Sequence, residues 1–157
     1  MNILFDERLD GELVRRDKAE VLSDLQGAVP SLTLLHREED LRPFECDGLA
    51  AYRVLPMLVA LPETLEQVEG LLKRCHALGV PVVTRGAGTG LSGGALPLEQ
   101  GVLLVMSRFN QIITVDPDAR IARVQPGVRN LAISEAAAPY GLYYAPDPSS
   151  QIACSIG

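Results

Sequence analysis

The chain is poor in the residues from which metal sites are built. Its 157 residues hold two histidines and three cysteines. Cys46, Cys75 and Cys154 show no C-x-x-C spacing and leave an odd thiol over, so no metal site is expected and a reducing compartment is the simple reading. Lysine is nearly absent, with two against twelve arginines, and 20 acidic residues bring the net charge to −6. Without a basic stripe to neutralise a run of phosphates, nucleic acid is not an expected partner. No apolar run approaches the roughly 20 residues that span a bilayer. The start, MNILFDERLDGELVRRDK, meets an acid by Asp6 and contains no apolar core of a signal peptide. The expectation is a soluble, cytoplasmic chain with no membrane insertion of its own.

What is present suits a globular domain: 47% hydrophobic and 22% charged residues, and enough length for one real core. Leu9, Leu13, Val14, Val21, Leu22 and Leu25 fall near helical spacing, which predicts a helix over 9–26 stopped by Gly27. Residues 28–55 carry Pro30, Pro43 and Gly48 with little periodicity and read as a connecting arm. From residue 56 the pattern sharpens. A short strand at 57–60 precedes Thr64, a helix cap whose box Gln67 completes. Leu65, Val68, Leu71, Leu72, Cys75 and Leu78 make an apolar stripe, Gly79 ends it, and 80–84 reads as a strand. That is a βαβ unit, whose crossover makes parallel strands. A buried-type strand follows at 102–106. A hairpin is predicted from 111–115 and 121–125 around Asp116-Pro117-Asp118-Ala119. Asn130 is expected to cap a helix reaching Ala138, ended by Pro139 and Gly141. The fold class is therefore α+β: a helical arm over 1–55, then a βαβ unit leading into a mixed sheet over 56–157.

Five of the fourteen glycines lie in residues 85–95, RGAGTGLSGGA. Gly88 to Gly93 matches G-x-G-x-x-G, the turn of a dinucleotide-binding Rossmann unit. The stretch follows the second strand of its unit, however, and Gly94 and Pro97 oppose the helix that motif must open. A P-loop needs Lys and then Ser or Thr after the last Gly, where this chain has Gly-Gly-Ala. A third reading is a loop that binds phosphate without a helix. Gly86, Gly88 and Gly90 would let successive amides face one side as an anion nest, with Thr89 and Ser92 adding hydroxyls and Arg85 charge. A ligand-free glycine loop, a Rossmann domain and a non-catalytic nucleotide-binding module remain alternatives on pattern alone.

RGAGTGLSGGA after a βαβ unit resembles the pyrophosphate loop of the flavoprotein family named for vanillyl-alcohol oxidase and p-cresol methylhydroxylase. Val59-Ala60-Leu61-Pro62-Glu63-Thr64, Val105-Met106-Ser107-Arg108-Phe109-Asn110, Val124-Gln125-Pro126-Gly127-Val128 and Tyr144-Ala145-Pro146-Asp147-Pro148-Ser149-Ser150 are similar to further segments of that family, in order. With Cys154-Ser155-Ile156-Gly157, the last of these is most similar to the branch that oxidises D-2-hydroxy acids. The resemblance covers about residues 57–157. It implies FAD, with its pyrophosphate on Arg85, Gly86, Ala87, Gly88, Thr89, Gly90, Leu91, Ser92 and Gly93. It also implies cofactor contacts from Ser107, Asn110, Pro126, Gly127 and Val128, and from Pro148, Ser149, Cys154, Ser155 and Gly157 along the flavin.

Some family members tether FAD through His or Cys. His36 and His76 lie on the arm and a helix, so non-covalent FAD is expected, with Cys154 a small residue under the cofactor rather than an attachment point. The resemblance implies a small 2-hydroxy acid, such as glycolate or D-lactate, as substrate. Members that oxidise glycolate further imply a second flavin-type subunit and an iron–sulfur subunit, through which a cytoplasmic chain would associate with the inner membrane. The family's catalytic groups lie beyond anything matched here. The chain therefore reads as the N-terminal portion of its domain, with no catalytic residue assigned.

Overall fold

The computed structural model describes residues 15–157. The first helix, α1, is Lys18–Ala28. Asp17 caps it, its carboxylate accepting from the amides of Ala19 and Glu20 at 2.8 and 3.1 Å. The expected start at residue 9 is corrected at 15–17, which are not helical and end in the Asp17 cap. Leu9, Leu13 and Val14 lie outside the described residues. Gly27 does not stop the helix either: it lies one residue inside the end, and Val29 closes it by donating to Leu25.

The arm is more ordered than its composition suggests. It holds a three-residue strand, β1 (Thr33–Leu35), a single helical turn, α2 (Glu38–Leu41), and a 3-10 turn over Arg42–Phe44. β1 pairs antiparallel with β2 (Leu58–Leu61). Helix α3 (Leu65–Leu78) then starts on the predicted capping box. Thr64 Oγ1 accepts from the Gln67 amide, and Gln67 Oε1 accepts from Thr64 N, both at 3.3 Å. It ends at Gly79 as expected, with the cap in the left-handed conformation. Of the predicted stripe, Leu71 and Cys75 are fully buried, whereas Leu65 and Leu72 face solvent.

β3 (Val82–Arg85) completes the βαβ unit, but β2 and β3 do not pair. β4 (Val102–Val105) lies between them, parallel to both, and the sheet order is β1-β2-β4-β3. The alternation along the central strands sorts two layers. Leu58, Ala60, Val102 and Leu104 face α1 and α3, packing on Val21, Leu25, Leu71 and Cys75. Val59, Leu103 and Val105 face the other way, onto Leu41, Phe44 and Leu55 of the arm. Burial raises the Cys75 thiol to about 11, so it packs as a small apolar group.

The predicted hairpin forms from β5 (Ile112–Asp116) and β6 (Ile121–Val124) as a separate two-stranded sheet. Asp116 Oδ1 accepts from Ala119 N at 2.9 Å inside the turn. Helix α4 (Asn130–Ala137) runs into a 3-10 turn containing Pro139 and stops at Gly141. The expected cap is displaced by one residue: Arg129 is the N-cap, and the Asn130 side chain donates instead to Pro146 O at 3.2 Å. Among the described residues no helix is long and apolar enough to cross a membrane, and no acidic, cysteine and histidine cluster could hold a metal.

Candidate functional site

The glycine stretch leaves the C-terminal end of β3 and runs on through Ala95 without forming a helix. Gly88 and Gly93 take positive φ, 71° and 73°, where a side chain would be strained. Gly90 does not, and a Cβ there would meet nothing within 4 Å. Of the three alternating glycines, Gly88 thus supplies backbone freedom and Gly86 supplies close approach. A Cβ on Gly86 would strike Gly157 O and Ser155 Oγ. Among the described residues, the amides of Gly88, Thr89, Gly90, Leu91, Ser92 and Gly93 donate to no protein acceptor. Amides without a protein acceptor are available to an anion.

Three distant segments close on the foot of this loop. The turn after β4 carries Ser107 and Asn110 and is held by the Phe109 amide donating to Met106 O at 2.9 Å. The Gly127 amide donates to Phe109 O at 2.7 Å, an approach that leaves no space for a Cβ between the carbonyls of Met106 and Phe109. Residues 154–157 then lie against 126–130. Ile156 and Gly157 donate to Val128 O and Pro126 O at 3.1 and 2.8 Å, and Arg129 and Ser155 form an antiparallel bridge. Ser155 Oγ accepts from Ala87 N at 2.8 Å and reaches Gly157 O at 3.0 Å. These contacts enclose a cavity of 260 Å³ lined by Ala87, Ser107, Asn110, Gly127 and Ser155, together with Arg129 and Ala153. A second cavity, 390 Å³, shares Ala87 and Ser107 with it and extends past Gly86 and Gly88 to the arm at Phe44, Cys46 and Asp47.

Arg85 lines that second cavity, but its charge is directed at the arm. The guanidinium donates to Phe44 O at 3.2 Å and to Cys46 O. Burial pushes it below the ordinary guanidinium range, and the neighbouring Asp47 carboxylate opposes the shift. Arg85 Nε lies beneath Gly88, 2.6 Å from where a Cβ on that glycine would sit. The arm also meets the outer loop directly: a Cβ on Gly48 would come within 2.7 Å of the carbonyl oxygens of both Thr89 and Gly90.

The sequence-predicted residues therefore divide. Gly86, Ala87, Gly88, Ser107, Asn110, Gly127 and Ser155 converge on the joined cavities, with Arg85 beneath them. Pro126 and Gly157 hold the closing contact, and Val128 is buried within it. Thr89, Gly90, Leu91, Ser92 and Gly93 form the outer loop and line neither cavity, and Leu91 faces solvent. Pro148 and Ser149 lie exposed in the loop before 154–157, and Cys154 is half-buried with its carbonyl accepting from Asn130 N. Sequence reasoning missed Arg129, Asp47 and Gly48. The Asp47-Gly48 pair is a turn signal, and Arg129 is a cation placed two residues after the Pro126-Gly127 turn. A further cavity of 330 Å³ lies between the hairpin and α4, lined largely by apolar groups including Ile121, Ile133 and Tyr143. It has none of the free amides.

The chain is 66% identical over all 157 residues to glycolate oxidase subunit GlcD of Escherichia coli, covering 32% of that protein. It is 35% identical over 133 residues to a D-2-hydroxyglutarate dehydrogenase of Xanthomonas citri pv. viticola, covering 85% of this chain and 28% of the relative. It thus spans about a third of the length of the curated relatives it matches. Among solved structures, p-cresol methylhydroxylase with substrate bound superposes with a TM-score of 0.67 at 24% identity, over 79% of this chain and 25% of that one. That likeness establishes a shared fold. The family model described as an FAD binding domain matches residues 56–157, the span that runs from β2 through the glycine loop to the segment closing the cavity, and the chain belongs to that family.

Proposed function

We propose that residues 56–157 form part of the FAD site of an oxidoreductase converting a D-2-hydroxy acid, glycolate or D-lactate, to its 2-oxo acid, with the preceding arm clipped to that site around residues 43–48. The observation that carries this reading is a cavity lined by Ser107, Asn110 and Ser155 at the foot of a glycine loop whose amides from Gly88 to Gly93 donate to no protein acceptor among the described residues. Backbone N–H donors suit a diphosphate. The relatives extend the reading to hydroxy acids, since one is a glycolate oxidase subunit. FAD, when bound, supplies the acceptor for the two electrons leaving the substrate. The work of this chain is to bind and orient. Residues 86–93 hold the pyrophosphate through the backbone, with Ser107, Asn110, Ser155 and the 126–128 turn along its path. Pro148, Ser149, Cys154 and Gly157 lie toward the flavin. The base for the hydroxyl proton and the clamp for the substrate carboxylate are assigned to no residue here. Binding is non-covalent, and the chain works with a second flavin-type subunit and an iron–sulfur subunit.

Titrating the chain with FAD while following flavin fluorescence tests this. Saturable quenching is expected, with weak retention on gel filtration and full release of flavin on denaturation. NADH is expected not to bind. Absence of saturable quenching, equal binding of NADH, or flavin that stays attached to the denatured chain would contradict the reading.

A further inference from the structure

We infer that Arg129 supplies the cationic contact to the diphosphate of the dinucleotide at this site, the role that position in the sequence suggests for Arg85. The inference rests on the FAD reading above. Arg85 turns two of its guanidinium nitrogens onto the carbonyls of Phe44 and Cys46, with Asp47 nearby, and its Nε is buried without a hydrogen-bond partner instead of standing open to solvent. Arg129 is in the opposite situation. It lines the 260 Å³ cavity and makes no ion pair or side-chain hydrogen bond among the described residues. No carboxylate lines that cavity, and its other polar side chains are Ser107, Asn110 and Ser155.

The backbone aims the side chain. Directly opposed residues of an antiparallel bridge put their side chains on one face, and Arg129 is bridged to Ser155. Ser155 Oγ contacts the Ala87 amide, so that shared face is the one turned to the glycine loop. The bridge is pinned on both sides, by Asn130 N donating to Cys154 O at 2.9 Å and Ile156 N donating to Val128 O at 3.1 Å. The N-terminus of α4 does not compete for the anion. Its first amides, Asn130 and Leu131, are taken by the carbonyls of Cys154 and Gln151. Charge at this end of the site therefore comes from a guanidinium, whose planar fork suits phosphate oxygens.

Comparing FAD with riboflavin, which lacks the diphosphate, tests the assignment on the full chain. Arg129→Gln is expected to weaken FAD by roughly tenfold, the size of one charge-assisted hydrogen bond, to leave riboflavin affinity unchanged, and to leave the melting temperature unchanged because the side chain is exposed. Arg129→Lys is expected to recover part of the loss. Inorganic pyrophosphate should compete with FAD in the parent chain and less in Arg129→Gln. Equal FAD affinity in parent and Arg129→Gln, or parallel losses of FAD and riboflavin, would overturn the inference. Glycolate competing as well as pyrophosphate would also overturn it, by making Arg129 a carboxylate site. A parent chain that binds neither flavin would overturn the FAD reading itself.

Discussion

Replacing Arg85 by Met is expected to cost about 3–5 kcal/mol of folding stability, because it removes two charge-assisted hydrogen bonds that contribute about 1.5–3 kcal/mol each. Arg85 and Asp47 are each 6% exposed. The substitution leaves the carbonyls of Phe44 and Cys46 without their donor, and it leaves Asp47 buried without a cation. Asp47 Oδ1 still accepts from Leu49 N at 2.9 Å, but Oδ2 has no hydrogen-bond partner. Set against the roughly 5–15 kcal/mol that ordinary domains possess, that loss is a large fraction of the whole. Lysine at this position keeps the charge but cannot span two carbonyls with one planar group, so an intermediate loss is expected. Urea denaturation checks both. The double variant Arg85→Met/Asp47→Asn should recover part of the loss, because it removes the stranded charge. A loss below about 1 kcal/mol for Arg85→Met, the level of an exposed pair, would show that the arm and loop are held together by something else.

The second large effect is expected at Gly127. Alanine there places a Cβ against two backbone carbonyls, Met106 O and Phe109 O, and neither can swing aside as a side-chain tip would. The turn that bears Ser107 and Asn110 must move away from the 126–128 turn, breaking the 2.7 Å hydrogen bond from Gly127 to Phe109 O. Overpacking of this kind costs about 1–3 kcal/mol, and the lost hydrogen bond adds to it. FAD affinity should fall with stability, because the cavity is built on that turn. Gly90→Ala is the contrast. It lies in the motif that resembles a fingerprint, yet its φ is ordinary and its Cβ would be in open space. Its expected change in stability is within about 0.5 kcal/mol. Thermal melts and FAD titration of the two variants check both statements, and a Gly90→Ala variant more damaged than Gly127→Ala would reverse the account of which glycines matter.

These cases indicate what could be read from the sequence. Local signals were legible: Thr64 with Gln67, Gly79, the Asp116–Ala119 turn and the helix-breaking Pro97 each act within a few residues, and each has its expected effect. Placement across the sheet was not legible. β1 has three half-buried residues and no period to reveal it, and the insertion of β4 between β2 and β3 is decided by packing on both faces of the sheet. At the site, motif position identified the glycine loop and the segments around it. It could not distinguish Arg85, consumed by the arm, from Arg129, turned to the cavity, because strand-end and helix-cap arginines look alike until their partners are known. The arm's share in the loop was hidden for the same reason. Gly48 is constrained by carbonyls some 40 residues away in sequence, a contact no local pattern encodes.

The central claim is that the free amides of the glycine loop, with Ser155 and the 107–110 turn, hold the diphosphate of FAD. Amide chemical shifts of the isotope-labelled chain, followed through a titration with FAD, test it most directly. The largest shifts are expected at Ala87 and across Gly88–Gly93, with coupled shifts at Ser107, Asn110, Gly127, Arg129 and Ser155, reproduced in part by inorganic pyrophosphate. Shifts confined to the cavity of Ile121, Ile133 and Tyr143, with the glycine loop silent at saturation, would contradict it.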